Sequence, residues 1–135
     1  MKRILIMEDD MVSRKFLSKY LSRYGDCDLV VDGLEAIDAY LLAMKVGLAY
    51  DLICLDVMMP KIDGIRVLKT IRDLERQHQV PEMEASKIIM TTVLGETEIV
   101  KSAVDYGCNA YASKPIDMTK MTEVLIKIGF IDKTN

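Results

Sequence analysis

Histidine is nearly missing from this 135-residue chain. Its single copy, His78, stands in the polar stretch "ERQHQ", where a solvated surface imidazole is the ordinary outcome. A Ser-His-Asp hydrolase has little to build on. Cysteine is scarce too: Cys27, Cys54 and Cys108 are odd in number, far apart and without metal-ligand spacing. They read as reduced packing residues, which suits a cytoplasmic chain better than an oxidising compartment. Positive charge is not in excess. The net charge of -3 lacks the basic footprint of a nucleic-acid binder. No apolar run approaches the length of a membrane span, and "MKRILIMEDD" turns acidic too soon for a signal peptide. Repeats, low-complexity tracts and linkers are absent as well, so one domain over residues 1–135 is expected.

What is there is a strict alternation. "RILIM" (Arg3 to Met7) has strand length, and "MVSRKFLSKYLSRYG" then places Val12, Phe16, Leu17, Tyr20, Leu21 and Tyr24 at helical spacing, with Gly25 as its stop. "CDLVV" is the second strand and "LEAIDAYLLAMKVG" the second helix. "LICLD" follows as a third strand, and a third helix runs from Ile65 to about Gln77, its Glu/Arg pairs facing out. "KIIMTT" and "NAYAS" are the fourth and fifth strands, each followed by a helix, "ETEIVKSAVDYG" and "DMTKMTEVLIKIG". "QHQVPEMEAS" (77–86) is the longest aperiodic stretch and reads as an exposed loop. Strand-helix repeats with nearly continuous apolar strands imply an α/β fold, a parallel sheet covered by helices on both faces.

Right-handed crossovers put every carboxyl end of such a sheet on one edge, and ligands bind there. That edge should receive Glu8, Asp9 and Asp10 after the first strand, Asp56 at the third, Thr91 and Thr92 at the fourth, and Ser113 and Lys114 at the fifth. Carboxylates gathered there repel: at an effective dielectric of about 20 and a separation of about 5 Å, each ionised pair costs roughly 3 kcal/mol. A divalent cation would offset the repulsion. Few carboxylates at an open crevice suit Mg²⁺, with Mn²⁺ as the alternative. A carboxylate nucleophile, a metal, the Lys114 ammonium and the Thr92 hydroxyl together describe phosphoryl transfer onto an aspartate. Each feature alone has a plainer reading. Asp10 can cap a helix, Asp56 can end a strand at a turn, Thr92 can be a β-branched strand residue and Lys114 a surface lysine. Their joint placement at carboxyl ends is what carries the argument.

The acidic pair in "ILIMEDD", the pattern "DVMMPKIDG", the threonine in "IIMTTV" and the run "AYASKP" together resemble the receiver domain of two-component response regulators. The likeness is greatest to stand-alone members of the chemotaxis type and covers about Arg3 to Ile128, a core of about 3–128. It implies a doubly wound, flavodoxin-like sheet of strand order 2-1-3-4-5 with five helices. Asp56 then resembles the phosphoryl acceptor. Glu8 and Asp9 resemble the metal-pocket pair, with Asp9 the direct ligand and Glu8 acting through water. The Met58 backbone carbonyl matches a third protein ligand. Thr92 and Tyr111 resemble the switch residues, Lys114 the phosphate-pairing ammonium, and Pro115 a proline after a cis bond.

The implied function is a switch charged by a histidine kinase or histidine phosphotransfer protein. It would be read by a protein target through the face formed by the fourth helix, fifth strand and fifth helix. It would not be a turnover enzyme. Glu8 stands where aspartate is commoner, Val93 where a small residue is usual, and the 77–86 loop is long. Met58, Val93 and Leu94 at the pocket mouth are apolar and cannot orient a water, so slow loss of the phosphoryl group is expected. Two rivals remain open at this point: a Mg²⁺-dependent aspartyl-phosphate phosphohydrolase, and a receiver-like interaction module without phosphoryl transfer. The first would want an acid where Met58 stands.

Overall fold

The computed structural model describes residues 1–58, 62–93 and 98–133. Strands β1 (Lys2–Met7), β2 (Gly25–Val30), β3 (Leu52–Asp56), β4 (Lys87–Thr92) and β5 (Ala110–Ser113) pair in parallel in the order β2-β1-β3-β4-β5. Between and after them run α1 (Met11–Leu21), α2 (Gly33–Lys45), α3 (Gly64–Gln77), α4 (Glu98–Asp105) and α5 (Met118–Lys127). The doubly wound α/β architecture expected from the sequence is the architecture of the molecule.

Residue alternation along the strands splits the core in two. Leu5, Met7, Ile53, Leu55, Ile88 and Met90 face α2, α3 and α4. Ile4, Ile6, Leu52, Cys54 and Ile89 face α1 and α5. β1, β3 and β4 are buried on both faces, which is why they read as unbroken apolar runs. Among the described residues, α1, α2, α3 and α5 each begin on an aspartate: Asp10, Asp32, Asp63 and Asp117 each accept the N–H of the third helical residue, Ser13, Glu35, Arg66 and Lys120.

Three sequence expectations need correction. α1 ends at Leu21, and Gly25 is not its stop but the first residue of β2. There Gly25 admits the neighbouring strand: a Cβ would lie 2.3 Å from the Lys2 carbonyl oxygen. On α3 one Glu/Arg pair faces in. Arg72 Nη1 donates to Glu75 Oε1 at 2.6 Å, with the two side chains 12% and 7% exposed. Arg72 also donates to the carbonyls of Ser86 and Gly107 and to Asn109 Oδ1. The 77–86 segment is not loose throughout. It carries a short 3-10 turn, Glu82–Glu84, and ends on buried Ser86, whose N–H donates to Glu75 Oε2 and whose hydroxyl donates to the Tyr50 carbonyl.

Candidate functional site

Glu8 leaves the end of β1 with its backbone N–H still donating to Val30 O at 3.1 Å, so the strand pairing continues one residue into the acidic run. That register drives the Glu8 side chain inward, where it is fully buried. Asp9 is exposed. Asp10 takes the plain role: it caps α1, accepting the Ser13 N–H at 2.8 Å, and that bond holds its carboxyl below the usual range. Asp56 closes β3, is 4% exposed and accepts the Met58 N–H on Oδ1 at 3.0 Å. Gly64 is required beside it, because a Cβ there would sit 2.2 Å from the Asp56 carbonyl oxygen. The glycine that ends the "DVMMPKIDG" pattern thus packs on the backbone of the residue that begins it.

Lys114, one residue beyond β5, bridges the two buried carboxylates. Its Nζ lies 2.7 Å from Glu8 Oε1 and 2.8 Å from Asp56 Oδ2. The contact to Glu8 Oε1 is an ion pair without hydrogen-bond alignment, which leaves that buried oxygen short of a directed donor. Burial, and then the adjoining Asp56 carboxyl, push the Glu8 carboxyl up to about 7, with Lys114 pulling the other way. For Lys114, burial alone would lower the pKa; its attraction to the Asp56 and Glu8 carboxylates outweighs that and raises it. The Lys114–Pro115 peptide is cis. The Lys114 N–H donates to Thr92 O at 2.7 Å, tying β5 to the end of β4.

Glu8, Asp9 and Asp56 each bring a carboxylate oxygen within 4.8 Å of the others. Hard oxygen donors at an open crevice, one of them buried without a directed donor, fit a small divalent cation such as Mg²⁺. Thr92 is fully buried at the end of β4. Tyr111 on β5 is half-buried against the core on the α2–α3–α4 face. Strand pairing sets Met90 beside Tyr111 and Thr92 beside Ser113, so Thr92 and Tyr111 lie on adjacent strands two register positions apart. At the mouth, Met58 is 61% and Val93 65% exposed, so in this state most of each side chain faces solvent. Leu94, the third apolar mouth residue expected from the sequence, lies outside the described residues.

One nearby group escaped the sequence reading. Arg14 donates from Nη1 to the Glu8 carbonyl at 3.2 Å. Its signal was available, since it follows the capping Asp10 by one helical turn and so lies over the same strand end. His78 sits exposed at the end of α3 with Nδ1 2.9 Å from the Leu74 carbonyl. All three cysteines are free, and burial pushes the Cys54 thiol up to about 12.

Known proteins agree with this geometry. The response regulator receiver domain family matches residues 4–126. The chain is 31% identical over 128 residues to the chemotaxis protein CheY of Treponema pallidum, covering 93% of this chain and 81% of that protein. It is 35% identical to the transcriptional regulator RpaA of Synechocystis, but spans only 46% of that longer protein. Among solved structures, a chain of the CheX–CheY–BeF3–Mg²⁺ complex from Borrelia burgdorferi superposes with a TM-score of 0.79 at 26% identity, covering 96% of this chain and 90% of that one. A chain of the co-crystal structure of yeast Ypd1 with the Ssk1 receiver domain shares the fold, with a TM-score of 0.79 at 24% identity over 96% of this chain and 89% of that one. The chain belongs to the response regulator receiver domain family, the phosphorylation-operated switches of two-component signalling.

Proposed function

We propose that Asp56 is the phosphoryl acceptor of this receiver, and that Glu8, Asp9, Asp56 and the Met58 backbone carbonyl hold Mg²⁺ beside it. The observation that carries the reading is the bridge of Lys114 Nζ to Glu8 and Asp56 at 2.7 and 2.8 Å, with an Asp9 oxygen inside the same cluster. Three carboxylates and one ammonium leave the pocket with surplus negative charge, which favours a cation. When bound, Mg²⁺ neutralises the oxygens of the transferring phosphoryl group.

An Asp56 carboxylate oxygen attacks the phosphorus of a phosphohistidine on a kinase or phosphotransfer protein. The P–O bond forms as the P–N bond breaks, and the imidazole leaves with the electron pair. Lys114, already at Asp56, then pairs with the phosphoryl oxygens, and the Thr92 hydroxyl donates to them. Movement of Thr92 makes room for Tyr111 to turn further inward, and the face formed by α4, β5 and α5 changes for a protein target. That is a switch, not a turnover enzyme: Met58 supplies no acid to protonate a leaving group.

Met58 and Val93, at 61% and 65% exposed, lie one or two residues beyond Asp56 and Thr92 in the chain, and with exposed Met11 and Val12 at the start of α1 they give a donor protein apolar side chains to rest on. No helix of the described residues is long and apolar enough to cross a membrane, and the charge of -3 supports neither a nucleic-acid nor a membrane partner. A single cytoplasmic domain over 1–135 fits these features.

The test is incubation with acetyl phosphate and Mg²⁺, followed by intact mass. The parent gains one phosphoryl group and Asp56→Asn gains none; labelling that survives in Asp56→Asn would remove the assignment. Thr92→Ala should still be labelled, yet lose the NMR shifts that beryllofluoride with Mg²⁺ induces around Tyr111.

A further inference from the structure

Glu8, Asp9 and Asp10 join β1 to α1, and the first and last of them are pinned. Glu8 keeps its N–H on Val30 O at 3.1 Å, and its Oε2 takes the Asp10 N–H at 3.2 Å. Asp10 accepts the Ser13 N–H on its carboxylate at 2.8 Å and the Arg14 N–H on its carbonyl at 2.9 Å. Asp9 lies between them, exposed, and its carboxylate takes no hydrogen bond from any described residue. Its aim is therefore set by the backbone on either side. There a single residue holds both carbonyls. The Arg14 N–H takes Asp10 O, and the Arg14 guanidinium donates from Nη1 to Glu8 O at 3.2 Å.

Arg14 is half-buried and is the fourth residue of α1. A cation is unfavourable there, because the amino end of a helix carries partial positive charge. Its reach explains its place. Helical side chains lean toward the amino end, so an arginine one turn in folds back over the strand that precedes the helix.

We propose that Arg14 is a positioning residue of the metal pocket. By holding the carbonyls before and after Asp9, it fixes the direction of the Asp9 carboxylate toward Glu8 and Asp56. This role rests on the reading of Glu8, Asp9 and Asp56 as a Mg²⁺ site. Groups that orient a metal ligand from behind contribute strongly to affinity. The charge of Arg14 works the other way, since a cation near the site repels Mg²⁺. The two effects have opposite signs, and removing the side chain separates them. Loss of a repelling charge alone tightens Mg²⁺ binding; loss of positioning weakens it.

Calorimetric titration of Mg²⁺ into the metal-free protein tests the role. Arg14→Met should raise the Mg²⁺ dissociation constant about ten-fold. The Mg²⁺ concentration that gives half-maximal labelling by acetyl phosphate should rise in step. Arg14→Lys keeps a donor and the charge, and should recover most of the affinity. Asp9→Asn sets the scale and separates the positioning role from the site itself. If Asp9→Asn weakens Mg²⁺ binding while Arg14→Met leaves the constant unchanged or lowers it, the role of Arg14 is wrong and the metal pocket stands. A lower metal-free melting temperature in Arg14→Met with an unchanged Mg²⁺ constant overturns it equally, as the mark of a purely structural bond. A parent that takes up no Mg²⁺ at millimolar concentration removes the pocket and the role of Arg14 together.

Discussion

Each edge of this sheet holds a half-buried cation among oxygens, and the two are finished differently. At the amino edge, Arg72 meets Glu75, two backbone carbonyls and Asn109 Oδ1, while the second Glu75 oxygen takes the Ser86 N–H. One positive charge faces one negative charge and the bonds close on themselves. At the carboxyl edge, one ammonium, Lys114, faces both Glu8 and Asp56, whose other oxygens take the N–H groups of Asp10 and Met58, with Asp9 close by. Negative charge is left over there, and a Glu8 oxygen is buried without a directed donor. A planar guanidinium suits the first task because it fills several acceptors at fixed angles; a compact ammonium suits the second because it can re-aim. The closed network holds elements together. The open one is left able to take a ligand.

The sharpest way to break this contrast is to remove each cation. Arg72→Met leaves Glu75 buried and unpaired, and should cost about 3–5 kcal/mol in urea unfolding, with no recovery in Mg²⁺. Lys114→Met should cost about 1–3 kcal/mol in the metal-free protein, and millimolar Mg²⁺ should return most of it by mass action. Equal responses of the two variants to Mg²⁺ would erase the distinction between a closed and an open edge.

A finer version makes the same isosteric change at both ends. Glu8→Gln removes one of the crowded carboxylate charges and should raise metal-free stability by about 1–2 kcal/mol, while shrinking the rise in melting temperature that Mg²⁺ produces. Glu75→Gln strips Arg72 of its counter-charge and should lower stability by about 1–2 kcal/mol. Opposite signs are the expected outcome, and like signs would show that burial of the side chain alone sets the effect. The smallest effect belongs to Ser86→Ala, which removes only the hydroxyl bond to the Tyr50 carbonyl. About 1 kcal/mol is expected, with acetyl phosphate labelling unchanged.

The inward Arg72–Glu75 pair marks where pattern reading stopped. Glu75 follows Ile71 by four residues and Leu68 by seven, so helical period already placed it on the core stripe. Its charge argued for water, and the charge was the poorer guide. What reverses it is Arg72 on the same helix together with Ser86 and Asn109, which the fold brings in from 14 and 37 residues after Arg72. Gly25 failed for a related reason. A glycine after a helical pattern looks like a stop, and only the neighbouring Lys2 carbonyl reveals that it serves a strand contact.

By itself the amino-acid pattern determined that β3 and β4 run over Leu52–Asp56 and Lys87–Thr92, because strands buried on both faces must be apolar throughout and break where polarity returns. It determined equally that Glu8, Asp9, Asp56, Thr92 and Lys114 gather on one edge, since parallel strands share their direction. Tertiary structure alone decided that Glu8 is buried while its neighbour Asp9 faces water, that one ammonium bridges Glu8 and Asp56, and that Met58 and Val93 stand open at the mouth. Topology is set by local periodicity and chain direction, which sequence carries. The balance of charge in a pocket is set by ångström-scale approach and burial among residues from different strands, and no single stretch of chain contains it.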